Sequence, residues 1–227
     1  MRERPILFSG PMVRAILAGD KTQTRRANGL GYFSRPENDP DGWLCARVED
    51  GHAYMVYKSS PHERAVRCPY GQPGDWLWVR EATYRRPMLN LLTGEPLAPQ
   101  YDGGAYSADD ANVLTPEGFD VAWWYPRKAC PSIHMPRWAC RLVLEVTLVR
   151  VERLQSISEA DAVAEGLTPH GKGWAQGWQV AGSGPISPDP ISAYRSLWEQ
   201  INGAGAWDAN PWVWVVEFRR ITGGGQE

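Results

Sequence analysis

An α+β fold built on a curled sheet or small barrel is predicted by three features of this 227-residue sequence. Strand-like runs recur along its length, helical periodicity is confined to three short segments, and no succession of strand–helix–strand units appears. The last point disfavours a doubly wound nucleotide fold. The first run, "RPILFS", reads as a short strand. In "GPMVRAILAG", Gly10 is available as a cap with Ser9 beside it, and Pro11 takes the first helical position. Met12, Val13, Ile16 and Leu17 share one face, and Gly19 stops the helix. "DKTQTRR" then leaves the helix as a loop feeding a strand.

Further along, "EDG" reads as a hairpin turn inside "GWLCARVEDGHAYMVYK". "PYGQPGDWLWVRE" predicts a strand from Trp76 to Arg80 that ends on Glu81. The strongest strand signal is "SIHMPRWACRLVLEVTLVRVERL", as two strands or one long bent one. In "SISEADAVAEGL", Ser158 stands three residues before Asp161, a capping box for a helix that stops at Gly166. "PISAYRSLWEQING" is a helix and "NPWVWVVEFRRI" a closing strand. Turn-rich stretches around 28–67, 87–122 and 168–190 read as loose insertions in a single domain over 1–222, with a frayed tail at 223–227.

Composition narrows the function classes. A net charge of −2 and a pI near 6.1 argue against a protein that mainly coats a polyanion, while leaving room for a local basic patch. The four cysteines, at 45, 68, 130 and 140, contain no CxxC pair, so neither a zinc ribbon nor a redox dithiol is spelled out. They are expected reduced, with no metal or cofactor. The apolar run at the N-terminus is too short for a signal peptide and no stretch approaches ~18 apolar residues, so no membrane association and a cytoplasmic location are expected. Most of the twelve tryptophans are expected in the core, alternating as strand residues do, with one or two offering a flat face to a base or sugar.

Arginine outnumbers lysine twenty to four, so the lysine in "LAGDKTQTRR" stands out. Lys21 is wanted either for amine chemistry or as one charge of a solvated turn. No Walker loop, GxGxxG, HExxH or GxSxG element is present. The polar groups that remain lie at element ends: Lys21, Thr24, Arg25 and Arg26; Asp75, Arg80 and Glu81; His134, Arg137 and Arg141.

"GDKTQTRR" resembles the Gly-x-Lys-x-x-Thr-x-Arg element of the ASCH family. The resemblance extends through "ILFSGPMVRAILAGDKTQTRR", "CPYGQPGDWLWVREATY", "PSIHMPRWACRLVLEVTLVRVERLQSISEADAVAEGL" and "YRSLWEQINGAGAWDANPWVWVVEF", about half of the chain. It is similar to the larger members found in phages and prophages. This implies a PUA-like β-barrel carrying insertions. Some small members are amidohydrolases that deacetylate N(4)-acetylcytidine with a Lys, Thr and Glu set, which maps onto Lys21, Thr24 and Glu81. Other relatives are linked to RNA binding or cleavage.

The resemblance therefore implies a metal-free hydrolase of an acylated or modified pyrimidine nucleoside. The alternatives are a PUA-like module that binds RNA or a modified base, with or without ribonuclease activity, and an accessory protein working through protein contacts. Candidate substrate contacts are Arg26, Arg80, His134, Arg137 and Trp138.

Amide hydrolysis needs a nucleophile, a proton acceptor and oxyanion stabilisation. One assignment makes Lys21 the base, its amine lowered from a reference pKa of about 10.4, with Glu81 orienting; the resemblance leans this way. The other lets Glu81 act on Thr24 or water while the Lys21 ammonium steadies the oxyanion. Glu81 also has a structural reading, a buried ion pair with an arginine. His134, beside Met and Trp, is read as a general acid or as a hydrogen-bonded core residue. On the catalytic reading, Lys21, Thr24 and Glu81 line one pocket.

Overall fold

The computed structural model describes residues 1–60, 62–171, 177–180 and 183–221, with backbone only at 98–100 and 183–185. In chain order the elements are β1 (Glu3–Leu7), α1 (Gly10–Ala18), β2 (Gln23–Arg26), β3 (Trp43–Glu49), β4 (His52–Tyr57), β5 (Glu63–Arg67), β6 (Trp76–Arg80) and β7 (Thr83–Leu89). They continue with β8 (Pro96–Tyr106), β9 (Ala129–Cys130), β10 (Val143–Arg153), α2 (Glu159–Ala164), β11 (Leu167–His170), β12 (Gly177–Val180), β13 (Ser183–Ser187), α3 (Pro190–Asn202) and β14 (Trp212–Arg220). This is a mixed α+β architecture, mostly strands. The tail at 223–227 and part of the segment 168–190 lie outside the described residues.

The principal sheet has the order β1-β6-β10-β14-β2. Strands β1 and β6 are parallel and the other pairs antiparallel. The alternation "WVWVV" explains why β14 lies inside this sheet. Successive side chains leave opposite faces. Trp212, Trp214, Val216 and Phe218 therefore enter one apolar cluster, with Ile6, Met12, Val13, Leu77 and Leu144. Val213 and Val215 enter a second, with Leu154, Tyr194, Trp198 and Trp207. Both faces of β14 are thus covered, where the alternating tryptophans alone suggested one. Trp214 is fully buried and its indole N–H donates to the Asn28 carbonyl at 3.0 Å, which satisfies the donor that burial would otherwise strand.

Helix α1 packs Met12, Val13 and Ile16 into the first cluster and stops at Gly19, whose φ of 88° is the left-handed cap conformation. Ser9 holds the N-cap position through its backbone; its side chain makes no capping bond. The long run after Met135 resolves into one strand, β10, with a register shift between Val146 and Leu148, preceded by two 3₁₀ turns. The Ser158 hydroxyl accepts from the Asp161 amide at 3.1 Å, as the capping signature predicts.

The stretches read as loose insertions are ordered into three small antiparallel sheets, β3-β4-β5, β8-β7-β9 and β11-β12-β13. Their backbone groups find partners in one another, while Ala53 and Met55 of β4 enter the first cluster and Leu167 and Val180 the second. The principal sheet itself is open. Its edge strands β1 and β2 share no ladder among the described residues, so the closed barrel expected of a PUA-like fold is not formed there. One side chain crosses the seam between them: Arg26 Nη2 donates to the Leu7 carbonyl at 2.9 Å.

Candidate functional site

Two neighbouring hollows meet at this seam. A cavity of about 80 Å³ is lined by Thr24, Arg25, Arg26, Glu165, Tyr194 and Trp198, among others. A wider cleft of about 570 Å³, lined by Leu7, Phe8, Ser9, Tyr70 and Ser132, shares Met12, Arg26, Asn28, Ile201 and Asn202 with it. Arg26 stands between the two, its guanidinium 5.4 Å from the Phe8 ring centre.

Behind the smaller cavity lies a network of buried charge. The chain leaving α1 is stitched to the end of α2: the Thr22 amide donates to the Ala164 carbonyl at 2.9 Å, and Lys21 bridges Glu165 through the backbone. This brings the Lys21 ammonium to three acceptors, the carbonyls of Gln23 (2.8 Å) and Glu165 (2.9 Å) and Glu165 Oε2 (2.8 Å). The Arg25 guanidinium, also without exposure, reaches Glu152 at 2.6 Å, Asp161 at 3.0 Å and Glu165 at 3.4 Å. Gly166, with φ of 97°, permits the approach, since a Cβ there would lie 3.1 Å from Lys21 Cβ and 3.0 Å from that of Ala15.

Burial lowers the pKa of the Lys21 amine, against the pull of the Glu165 carboxylate. The geometry nevertheless suits the ammonium. It has three hydrogens and three acceptors, whereas a neutral amine would turn its lone pair toward an oxygen. Lys21 accordingly holds Glu165 in place and presents no free base. Burial raises the Tyr194 phenol well above its ordinary range, so it stays neutral. The Thr24 hydroxyl makes no hydrogen bond with a described residue, and Thr24 lines the cavity.

Glu81 belongs to a different cluster. Its carboxylate takes a two-pronged contact from Arg141, Nε to Oε1 at 3.0 Å and Nη2 to Oε2 at 2.7 Å, and Arg141 in turn holds Asp109 at 2.9 Å. This is the buried ion pair that was the structural reading of Glu81, which lines neither cavity. Lys21 is joined to Glu165, which lines the same cavity as Thr24, and neither Lys21 nor Thr24 meets Glu81.

Of the expected substrate contacts, Arg26 lines both cavities and the rest lie outside their linings. Arg80 donates to the Ile133 carbonyl and lies 5.3 Å from the Trp78 ring centre. Arg137 is ion-paired with Glu3 at 2.8 Å. Trp138 packs edge-on against Trp123 at 5.3 Å. His134 is exposed on a 3₁₀ turn, where a core position was one expectation.

Glu165 and Glu152 escaped the sequence reading, and Asp161 entered it only as the capping partner of Ser158. The signal available for Glu165 was its place immediately before the helix-ending Gly166. Among the described residues no group of three or more His, Cys, Asp or Glu side chains is arranged to hold a metal ion, and no helix is long and apolar enough to cross a membrane. Set against family models, curated proteins and solved structures, the chain matches none of them.

Proposed function

We propose that the chain is an amidohydrolase, of the ASCH kind with a PUA-like frame, that removes an acyl group from the exocyclic amine of a modified pyrimidine nucleoside. One observation carries this reading: Thr24, whose hydroxyl makes no hydrogen bond with a described residue, and Glu165 line the same cavity. Glu165 takes the Thr24 proton as the hydroxyl oxygen attacks the acyl carbon. The carbon–nitrogen bond then breaks, and the proton passes to the leaving amine. Water, deprotonated by the same carboxylate, releases the acid from the threonyl ester. Lys21 holds Glu165 in position throughout, and Arg26 at the mouth offers its guanidinium to the oxyanion. The role that the resemblance assigns to Glu81 passes to Glu165.

A second reading, a module that holds RNA or a modified base without cleaving it, is favoured by the engagement of both Lys21 and Glu81 in buried ion pairs. One experiment separates the two. The protein is incubated with a panel of N-acylated pyrimidine nucleosides, and free amine and bound nucleoside are both measured. Amine release that disappears in Thr24→Ala and Glu165→Gln supports the hydrolase, whereas binding without release supports the module.

A further inference from the structure

Away from that cleft, Arg85 on β7 is only 9% exposed, yet its guanidinium makes no hydrogen bond or ion pair with any described residue. Its Nε is buried outright and unpartnered. Lys21 and Arg25, the other buried cations among the described residues, each have carboxylates within reach. Arg85 instead lies between two tyrosines, 3.8 Å from the Tyr101 ring centre and 5.0 Å from that of Tyr125. Ring faces attract the cation but accept none of its five N–H groups in the way an oxygen does. A buried charge without an oxygen partner is strongly disfavoured.

The same residue lines a cavity of about 780 Å³ together with Met88, Tyr101, Asp120 and Tyr125. Asp120 does not supply the missing charge, since it is ion-paired with the neighbouring Arg86 at 3.8 Å. We propose that Arg85 anchors a second ligand site, independent of the Thr24 cavity, for a monocarboxylate carried on an aromatic body. The planar carboxylate matches the guanidinium fork through two parallel hydrogen bonds. The aromatic body lies on the Tyr125 ring, which is 75% exposed, and against Met88. A single negative charge suits the site better than a phosphate dianion, because the Asp120 carboxylate shares the wall.

Benzoate is the probe, titrated calorimetrically into the full chain, with acetate and phenyl phosphate as comparators. Benzoate should bind at least tenfold more tightly than either. Arg85→Met should abolish that binding and, without ligand, melt above the wild type, because an uncompensated buried charge has gone. Tyr125→Leu, at an exposed position that tolerates change, should weaken benzoate and leave acetate unaffected. The site is refuted if benzoate does not bind, if Arg85→Met binds it equally well, or if phenyl phosphate binds more tightly. Arg85→Met melting below the wild type, or Tyr125→Leu binding benzoate unchanged, would equally overturn it and return Arg85 to simple packing.

Discussion

Lys21 Nζ lies 2.8 Å from Glu165 Oε2, joining side chains that are 144 residues apart and almost entirely removed from solvent. Taking away Glu165 leaves the Lys21 ammonium with backbone carbonyls alone, and taking away Lys21 leaves the Glu165 carboxylate with only the longer 3.4 Å contact from Arg25. Lys21→Met and Glu165→Leu should therefore each destabilise the chain by about 3–5 kcal/mol, while the double variant costs much less than their sum. Urea denaturation of the four proteins measures this. Simple additivity would show that the pair is not coupled.

Gly166→Ala should lower stability by about 1–3 kcal/mol, since a side chain at that backbone angle is strained and meets Lys21 and Ala15. Gly203→Ala, at a φ of 99° but with no neighbour within 4 Å, isolates the backbone contribution. The Gly166 variant should be the more damaged of the two. Equal losses would mean that the close approach to Lys21 is unimportant.

If Thr24 is the nucleophile, Thr24→Ala should lose amide hydrolysis, whereas Thr24→Ser keeps the hydroxyl and some turnover. Glu165→Gln should fall by roughly 10²–10⁴-fold, the usual worth of a positioned base. Glu81→Gln breaks its contact with Arg141, so it should lower the melting temperature and leave the activity of the folded fraction largely intact. Rates normalised to folded protein decide between the two carboxylates. A larger loss in Glu81→Gln would restore the role that the resemblance implied.

Acid should unfold the chain partly through Asp161. Burial works to raise the pKa of this carboxyl, but Arg25 and Arg150 prevail and hold it below its ordinary 3.8. A folded-state value below the unfolded one contributes stability that is fully present above the unfolded value and is lost as pH falls through the folded one. Urea midpoints between pH 2 and 5 should therefore drop toward acid, and Asp161→Asn should flatten that slope. A slope unchanged in the variant would assign acid sensitivity to other carboxyls.

All four cysteines are free thiols, and burial pushes each upward, Cys68 to about 11. Because the thiolate is the reactive form, iodoacetamide at pH 8 should label Cys68 slowly in the native chain and promptly in urea. Mass spectrometry of the labelled peptide provides the readout. Equal rates in both states would contradict its burial.

What was legible in the sequence was local. Pro11 and Gly19 bracket α1, Ser158 caps α2 through Asp161, and the alternating "WVWVV" declares β14, because each signal is confined to a few neighbouring residues. Of the small sheets only the β3–β4 hairpin was legible, through the "EDG" turn that joins Glu49 to His52. Strand β5, "ERAVR", is exposed at four of its five positions, so it lacks the alternation that marks a half-buried strand, and β8 contains prolines and glycines that read as turns. The site was half legible. Lys21 and Thr24 stood out as residue types in a motif, but nothing in the spacing links residue 21 to residue 165. That link depends on the bridge between the end of α1 and the end of α2.

The order in which the edges of the principal sheet find partners has a consequence for synthesis on the ribosome. Strand β1 pairs with β6, so it waits for residues 76–80 to emerge, and β2 pairs with β14, so it waits for residues 212–220. Helix α1 and the Lys-Thr segment leave the ribosome well before the α3 wall of the cavity and the β14 neighbour of β2. The nascent chain thus carries its candidate catalytic threonine unhoused until β14 has emerged, and long-range closure of this kind is slow. Ribosome-bound chains stalled before β14 should display Thr24 and Arg26 to proteases and chaperones, and shelter them only after that strand is released.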